Sequence, residues 1–278
     1  MEYTVLIATH NVVPKKLFKQ VVTNAFRQVE ADDSNAEVVI VSHYPVTNDV
    51  EYVDLPGIDE FDHSDMREVI DVDPFVSVEE WPFPIRNFVV GERKYSAKTL
   101  LAQLLFGAER ASGEEIVLVE HDVLYPQYYL TEMAKSLSGV DFCYWKDSVF
   151  LSGLGFFRVP LLTTLSRFAF NKSFFIPYLK SLSDQEVVSL EPPIFVGDVT
   201  GEFTCDCFGS SATCKVIGGN DVLDVKHGLN TSGNILVDEY ESAHPYWGDK
   251  ETFLDLIGNR FRAFVACKPA YSYGLLLE

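Results

Sequence analysis

Residues 114–126 read EEIVLVEHDVLYP, a run of branched apolar residues at 116–119 that ends in Glu120, His121 and Asp122 before the chain breaks at Pro126. Such a run suits the middle of a parallel sheet, covered on both faces, whereas carboxylates are almost never fully buried unless paired. The strand must therefore surface at Glu120. In an extended chain successive side chains alternate faces, so Glu120 and Asp122 are expected to point one way and His121 the other. Two like charges held in one small space favour a cation between them. Carboxylate oxygens with room for water and phosphate oxygens suit Mg²⁺ or Mn²⁺.

Other reactive residue types carry weaker signals. Cys205, Cys207 and Cys214 cluster in CDCFGSSATC, but the spacing gives neither paired C-x-x-C ligands nor a redox motif. Five cysteines, an odd number, with no export signal read as free thiols used in packing. No phosphate loop of the G-x-x-x-x-G-K-[ST] type occurs, nor a Gly-rich, Lys-bearing signature near the N-terminus, which weighs against a nucleotidyltransferase.

The elements that must position the acidic ledge follow from periodicity. YTVLIATHN is apolar and β-branched, PKKLFKQVVTNAFRQV places apolar residues at helical spacing with Pro14 near its first turn, and AEVVIVSHYPV is a second buried strand. Strand, helix, strand within this length is a βαβ unit and implies a parallel sheet. Residues 47–92, acidic and broken by prolines, are expected to hold loops, a short strand near NFVV and one helix. SAKTLLAQLLFGAERASG is a helix with both ends marked, and it delivers the chain into EEIVLVEHD. Further on come a helix around YYLTEMAKSLSG, a strand at DFCYWKD, and SGLGFFRVPLLTTLSRFAF as strand or turn followed by a helix. Residues 171–220 are mixed. KVIGG reads as a strand, DVLDVKHGLNTSGN as a strand entering a small-residue loop, and the tail after HPYWG as one helix with aromatic loops. The fold class is α/β, with a mostly parallel central sheet and helices on both faces.

Composition bounds the rest. At 278 residues and 47% hydrophobic content the chain can bury a full core. Against 41 Asp and Glu stand 22 Lys and Arg, a net charge of −19 that works against a generic polyanion-binding surface. No cationic leader precedes an apolar stretch, and no uncharged apolar run approaches about 18 residues. A cytoplasmic protein without membrane insertion is expected.

The order of VLIATHN, ERASGEEIVLVEHDVLYP, SGLGFFRVPLL and DVLDVKHGLNTSG resembles the nucleotide-sugar glycosyltransferases of the GT-A fold, in particular the divergent family-2-like enzymes of bacteria and bacteriophages, some of which glycosylate modified DNA bases. The resemblance implies a single GT-A-like unit over 1–278, with a donor-binding half at 1–125 and an acceptor-side half at 126–278. It implies a nucleotide-diphospho-sugar donor, held by Thr9, His10 and Asn11 after the first strand, with Ser42 and His43 as further contacts. Ligands of parallel sheets bind outside the carboxyl ends of the strands, which suits these positions. Glu120-His121-Asp122 stands where the family has Asp-x-Asp. The departure at the first position lengthens the arm by one methylene, so Glu120 is expected to reach ribose or metal-bound water while Asp122 takes the metal. His227 matches the late histidine that completes the metal site in many members; imidazole suits Mn²⁺ better than Mg²⁺, so Mn²⁺ is favoured. Lys226 would face phosphate. Asp198 and then Glu202, in VGDVTGEFTCDCF, are the positions for a base that deprotonates the acceptor hydroxyl, with Asp206 a third. GLGFF at 153–157 would lie on the acceptor side.

Three readings stay open. The leading one is a metal-dependent glycosyltransferase, its acceptor a hydroxylated base in phage DNA by analogy, or a carbohydrate or small molecule as the net charge favours. A second is a module that kept the fold and lost the chemistry. A third, another nucleotide-dependent enzyme, lacks its signatures. His244, Tyr246 and Trp247 of HPYWG read either as core or as a platform for a sugar or base, since aromatic rings present flat apolar faces with polar edges.

Overall fold

A computed structural model describes residues 2–31, 36–56, 58, 81, 84–93, 97–158, 165–183, 202–204, 212–225 and 240–253. The first unit is β1 (Tyr3–Thr9), α1 (Lys15–Ala31) and β2 (Glu37–Ser42), with β1 and β2 parallel in the register Thr4 to Glu37 through Thr9 to Ser42. Then come β3 (Val50–Tyr52), β4 (Ile85–Val89), α2 (Ala97–Arg110), β5 (Glu115–Val119), β6 (Val123–Leu124), α3 (Tyr129–Ser136), β7 (Phe142–Trp145), β8 (Ser148–Ser152), β9 (Gly155–Phe157), β10 (Phe168–Asn171) and α4 (Lys172–Ser183). β11 (Glu202–Thr204), β12 (Thr213–Ile217), β13 (Val222–Val225), β14 (Ala243–His244) and β15 (Gly248–Asp249) complete the described strands.

Nine strands form one sheet in the order β11-β12-β7-β10-β5-β1-β2-β4-β3. All run one way except β10 and β11, which are antiparallel to their neighbours. Alternation along the strands sorts the core into two layers. Val5, Ile7, Val38, Ile40, Val117 and Val119 face the side covered by α1 and α3. Leu6, Ala8, Val39, Val41, Ile116 and Leu118 face α2 and α4. The protein is thus α/β, with helices on both faces of a mostly parallel sheet. A second sheet, β6-β13-β8-β9, stands beside it. No helix of the described residues is long and apolar enough to cross a membrane.

Two expectations are corrected. The helix expected before and through SRFAF is not found in its described part: Leu165–Arg167 makes one tight helical turn, and Phe168–Asn171 is a strand inserted between β5 and β7, while residues 159–164 lie outside the described residues. A short continuous apolar run has no period by which to distinguish the two, and here burial on both faces decides for the strand. That insertion also means β5 is central but not wholly parallel, since β10 pairs with it antiparallel through Val117 and Ile116.

Candidate functional site

The carboxyl ends of β4, β2, β1 and β5 align along one sheet edge, with Thr9 beside Ser42, Ser42 beside Val89 and Ile7 beside Val119. Gln103 of α2, buried under that edge, donates from Nε2 to the carbonyls of Thr9 and Val41, each at 3.2 Å. Helix and strand ends are thereby locked together.

The residues after β1 divide into two kinds. Thr9 is buried; its Oγ1 accepts the Asn11 N–H at 3.0 Å and its carbonyl accepts the His43 N–H at 3.2 Å. Asn11 adopts a left-handed φ of 63°, a region asparagine tolerates. Its amide clasps the Tyr44 backbone reciprocally, Nδ2 donating to the carbonyl at 3.3 Å and Oδ1 accepting the N–H at 3.2 Å. Thr9 and Asn11 therefore join the loops after β1 and β2. His10 is half-buried, and its Nδ1 accepts the Val12 N–H at 3.0 Å, so the neutral ring carries its proton on Nε2. Its ring lies edge-on to His121 at 4.9 Å and to His43 at 6.4 Å.

His43 is buried behind this loop, and burial, assisted by the positive charge of Arg93, pulls its pKa down to about 4. It is a neutral imidazole at pH 7. Ser42 is buried as well, its Oγ accepting from Asn87 Nδ2 at 2.8 Å while Asn87 Oδ1 holds the Val46 N–H at 3.0 Å. Three histidines distant in sequence thus line one edge. The resemblance sets His10 and His43 at one nucleotide, and the register of β1 with β5 adds His121, which the alternation pointed away from the ledge.

At the acidic ledge the expected alternation of 120, 121 and 122 is corrected. β5 ends at Val119, and the Val123 N–H bonds back to the Glu120 carbonyl at 3.4 Å, so the segment turns instead of running extended. The Tyr125 hydroxyl accepts the Glu120 N–H at 3.0 Å, and its pKa is pushed well above the ordinary phenol value by burial, by neighbouring Tyr129, and by the negative charges of Glu120 and Asp122. Both charges are felt at one hydroxyl. Asp122 is 6% exposed and Glu120 half-buried.

The Asp122 carbonyl accepts the Val225 N–H at 3.0 Å, continuing the antiparallel pairing of Asp224 with Val123. β13 is therefore docked onto the ledge at the residue that precedes Lys226 and His227. Those two, with Asp198, lie outside the described residues. Glu202 begins β11, the outermost strand, four positions from β5 in the sheet. At the usual spacing its backbone stands roughly 19 Å across from the ledge, so the sheet does not bring it to Asp122.

Two residues of this neighbourhood escaped the sequence reading. Asp224 is a carboxylate 4% exposed within β13. Its position inside the apolar strand VLDV was a usable signal, because an isolated buried carboxylate demands a reason. Arg167 is 2% exposed, lies 5.0 Å over the Tyr144 ring and donates to the Lys146 carbonyl at 3.1 Å. Its charge and that of Glu120 both reach the Tyr129 hydroxyl, whose pKa burial raises. Nothing local in LSRF announces that burial.

Among the described residues no three His, Cys, Asp or Glu side chains converge to hold a metal ion. Glu120 and Asp122 supply hard oxygen donors that fit a divalent cation in part, leaving positions for oxygens of a ligand and for a residue on the segment after Val225. Among the described residues the thiols Cys143 and Cys214 are free and buried, each with its pKa pushed up by burial to about 12, while Cys205 and Cys207 lie outside those residues.

No protein-family profile and no curated protein sequence matches this chain. Among solved structures, it is similar to TarS 1–349 of S. aureus at 12% identity, over 81% of this chain and 60% of that one, with a TM-score of 0.43. The complex of TarS 1–349 with UDP-GlcNAc aligns at 11% identity over 87% and 62%, TM-score 0.42. The mannosyltransferase PcManGT of Pyrobaculum calidifontis, in complex with GDP-Man and Mn²⁺, aligns at 16% identity over 81% and 56%, TM-score 0.41. The chain spans about three fifths of the length of each of these structures.

Proposed function

We propose that the protein is a metal-dependent glycosyltransferase that moves a sugar from a nucleotide-diphospho-sugar to an acceptor hydroxyl. The observation that carries this reading is the docking of β13 on the Asp122 carbonyl at 3.0 Å, which starts the segment bearing Lys226 and His227 from the turn that carries Glu120 and Asp122. Two residues span at most about 7 Å, so His227 is within reach of a cation held at Asp122. The motif order that resembles GT-A enzymes supports the same assignment.

In this reading Asp122 and His227 hold a divalent cation, Mn²⁺ in preference to Mg²⁺ because of the imidazole, and Glu120 bonds ribose or a metal-bound water. Such a cation, when bound, neutralises the charge that builds on the departing diphosphate. Lys226 adds a positive charge toward phosphate. His10, with its proton on Nε2, offers a donor and a flat face to the nucleotide. Thr9 and Asn11, engaged with each other and with Tyr44, hold the β1 loop in shape for it. The base that takes the acceptor proton is assigned to Asp198 ahead of Glu202.

The acceptor hydroxyl belongs to a carbohydrate or small molecule, or to a hydroxylated base in DNA; the net charge of −19 favours the former. Titration calorimetry with UDP and GDP, with and without Mn²⁺, tests the donor assignment. Asp122→Asn is expected to weaken manganese-dependent binding at least about tenfold with the fold intact, as loss of a charged ligand should. Unchanged affinity refutes the metal role. His227→Ala should weaken it less, and Asp198→Asn should remove turnover while keeping donor affinity.

A further inference from the structure

A groove of about 290 Å³ opens between the second half of α1, the loop 125–128 and the β14–β15 hairpin. At 1.5 Å per residue, Asn24 to Arg27 lie roughly 14–18 Å along α1 from Lys15, and Tyr125, which also lines the groove, accepts the Glu120 N–H on its hydroxyl at 3.0 Å, so the groove adjoins the back of the ledge. The donor reading assigns this groove no task, and three observations point to a ligand.

Tyr128 stands at φ 70° and ψ 0° immediately before α3, makes no side-chain capping bond, and is 53% exposed. A left-handed backbone disfavours any residue bearing a Cβ, and neither capping nor core packing accounts for a tyrosine here. Opposite it, Tyr246 and Trp247 meet at right angles, their ring centroids 4.9 Å apart and their planes at 88°. Both are fixed from behind: the Tyr246 hydroxyl accepts the Gln127 N–H at 2.9 Å, leaving its own proton to donate, and Trp247 Nε1 donates to the Asp221 carbonyl at 2.9 Å. Arg27 is the one cation lining the groove, no carboxylate lines it, and the guanidinium makes no ion pair among the described residues. In a chain with 41 acidic residues that local balance is inverted.

Pre-set aromatic faces pack against the C–H face of a pyranose, and a guanidinium bonds phosphate or carboxylate through a bidentate fork. The volume lies at the lower limit of small-molecule sites, about 300 Å³, which suits one ring and not a whole nucleotide-sugar. Stacked nucleobases would use the same aromatics, but a lone cation in so acidic a chain does not track a phosphate backbone.

We propose that this groove binds a sugar ring carrying an anionic substituent, a phosphate or a carboxylate, on the far side of Tyr125 from the acidic ledge. The assignment stands without the donor reading, since a saccharide held here need not be turned over.

Calorimetry and saturation-transfer NMR on the full chain test it, with glucose 6-phosphate and methyl glucuronide as probes, methyl glucoside as the uncharged control and oligothymidylate as competitor. Glucose 6-phosphate is expected to bind at millimolar concentration, with methyl glucoside about tenfold weaker. Arg27→Gln, which keeps a good helix former, and Tyr128→Gly, which keeps the left-handed backbone while removing the ring, should each weaken the anionic probes by a similar factor. Manganese-dependent binding of UDP or GDP should be unchanged in both variants, so failure of this site and failure of the donor site are read separately. Absence of binding by both anionic probes, equal affinity in the variants, or displacement by oligothymidylate would overturn the assignment.

Discussion

His43 shows how one side chain ties the site to stability. Its pKa falls from 6.5 to about 4, through burial first and the Arg93 charge second. A lowered histidine pKa means that the unfolded chain takes up a proton which the folded chain refuses. The stability is complete above pH 6.5 and is lost as pH drops toward 4. Between pH 7 and pH 5 this linkage costs about 2 kcal/mol. Urea midpoints measured over that interval should fall by the corresponding amount in the native protein and by much less in His43→Asn. A parallel fall in the variant would assign the acid sensitivity to other groups. At this scale the sequence named Glu120 and Asp122 from local pattern, and His10 only through the resemblance. It could not say that Asn11 binds the Tyr44 backbone, because that contact joins residues 33 positions apart.

Among the elements, the β14–β15 hairpin has the clearest single anchor. The Asp221 carboxylate receives both guanidinium nitrogens of Arg158, at 2.7 and 2.6 Å, and faces His244 Nε2 at 3.0 Å. His244 Nδ1 accepts the N–H groups of Tyr246 at 3.2 Å and Trp247 at 3.3 Å, so the Nε2 proton points at Asp221. The Asp221 carboxylate also holds the Arg158 pKa above its ordinary value, chiefly through the hydrogen bond. Half of the Arg158 side chain lies in solvent, so His244, which is buried, carries more of the energy. Asp221→Asn should destabilise the hairpin by about 1–3 kcal/mol. Hydrogen exchange should quicken at Tyr246 and Trp247 while β1 and β5 keep their protection. Uniform acceleration across the sheet would show instead that the anchor supports the whole fold. The sequence marked HPYWG as core or platform; the structure buries His244 at 6% exposure and leaves Tyr246 exposed at 38%.

For the molecule as a whole, the net charge of −19 sets its response to salt. Like charges spread over the surface oppose compaction, and their reach shrinks from about 10 Å at 0.1 M ionic strength to about 3 Å at 1 M. Raising NaCl across that range should therefore raise the urea midpoint, and it should not weaken nucleotide binding as it would on a basic surface. A falling midpoint would mean that specific ion pairs, such as Arg86 with Glu37 at 3.0 Å, outweigh the general repulsion. Glu37 has a particular stake here. Burial alone would raise its pKa, but hydrogen bonds from Ser112, Thr4 and Arg86 lower it on balance. Its contribution is present above the unfolded carboxylate range and is lost as pH falls through the lowered value.

What the sequence determined by itself is the set of elements with a period or a marked end. β1, α1, β2, α2 and β5 all lie where spacing put them, because alternation and helical repeat are local properties. It also placed an acidic pair at the end of a buried strand, since carboxylates do not stay inside. Only the tertiary structure decided that residues 120–123 turn, that Phe168–Asn171 is a strand between β5 and β7, and that β13 docks on Asp122. The placement of His121 against His10 belongs to the same group. Each of these depends on strand order and register, and a sheet pairs residues by their positions in space, with no regard to their separation along the chain.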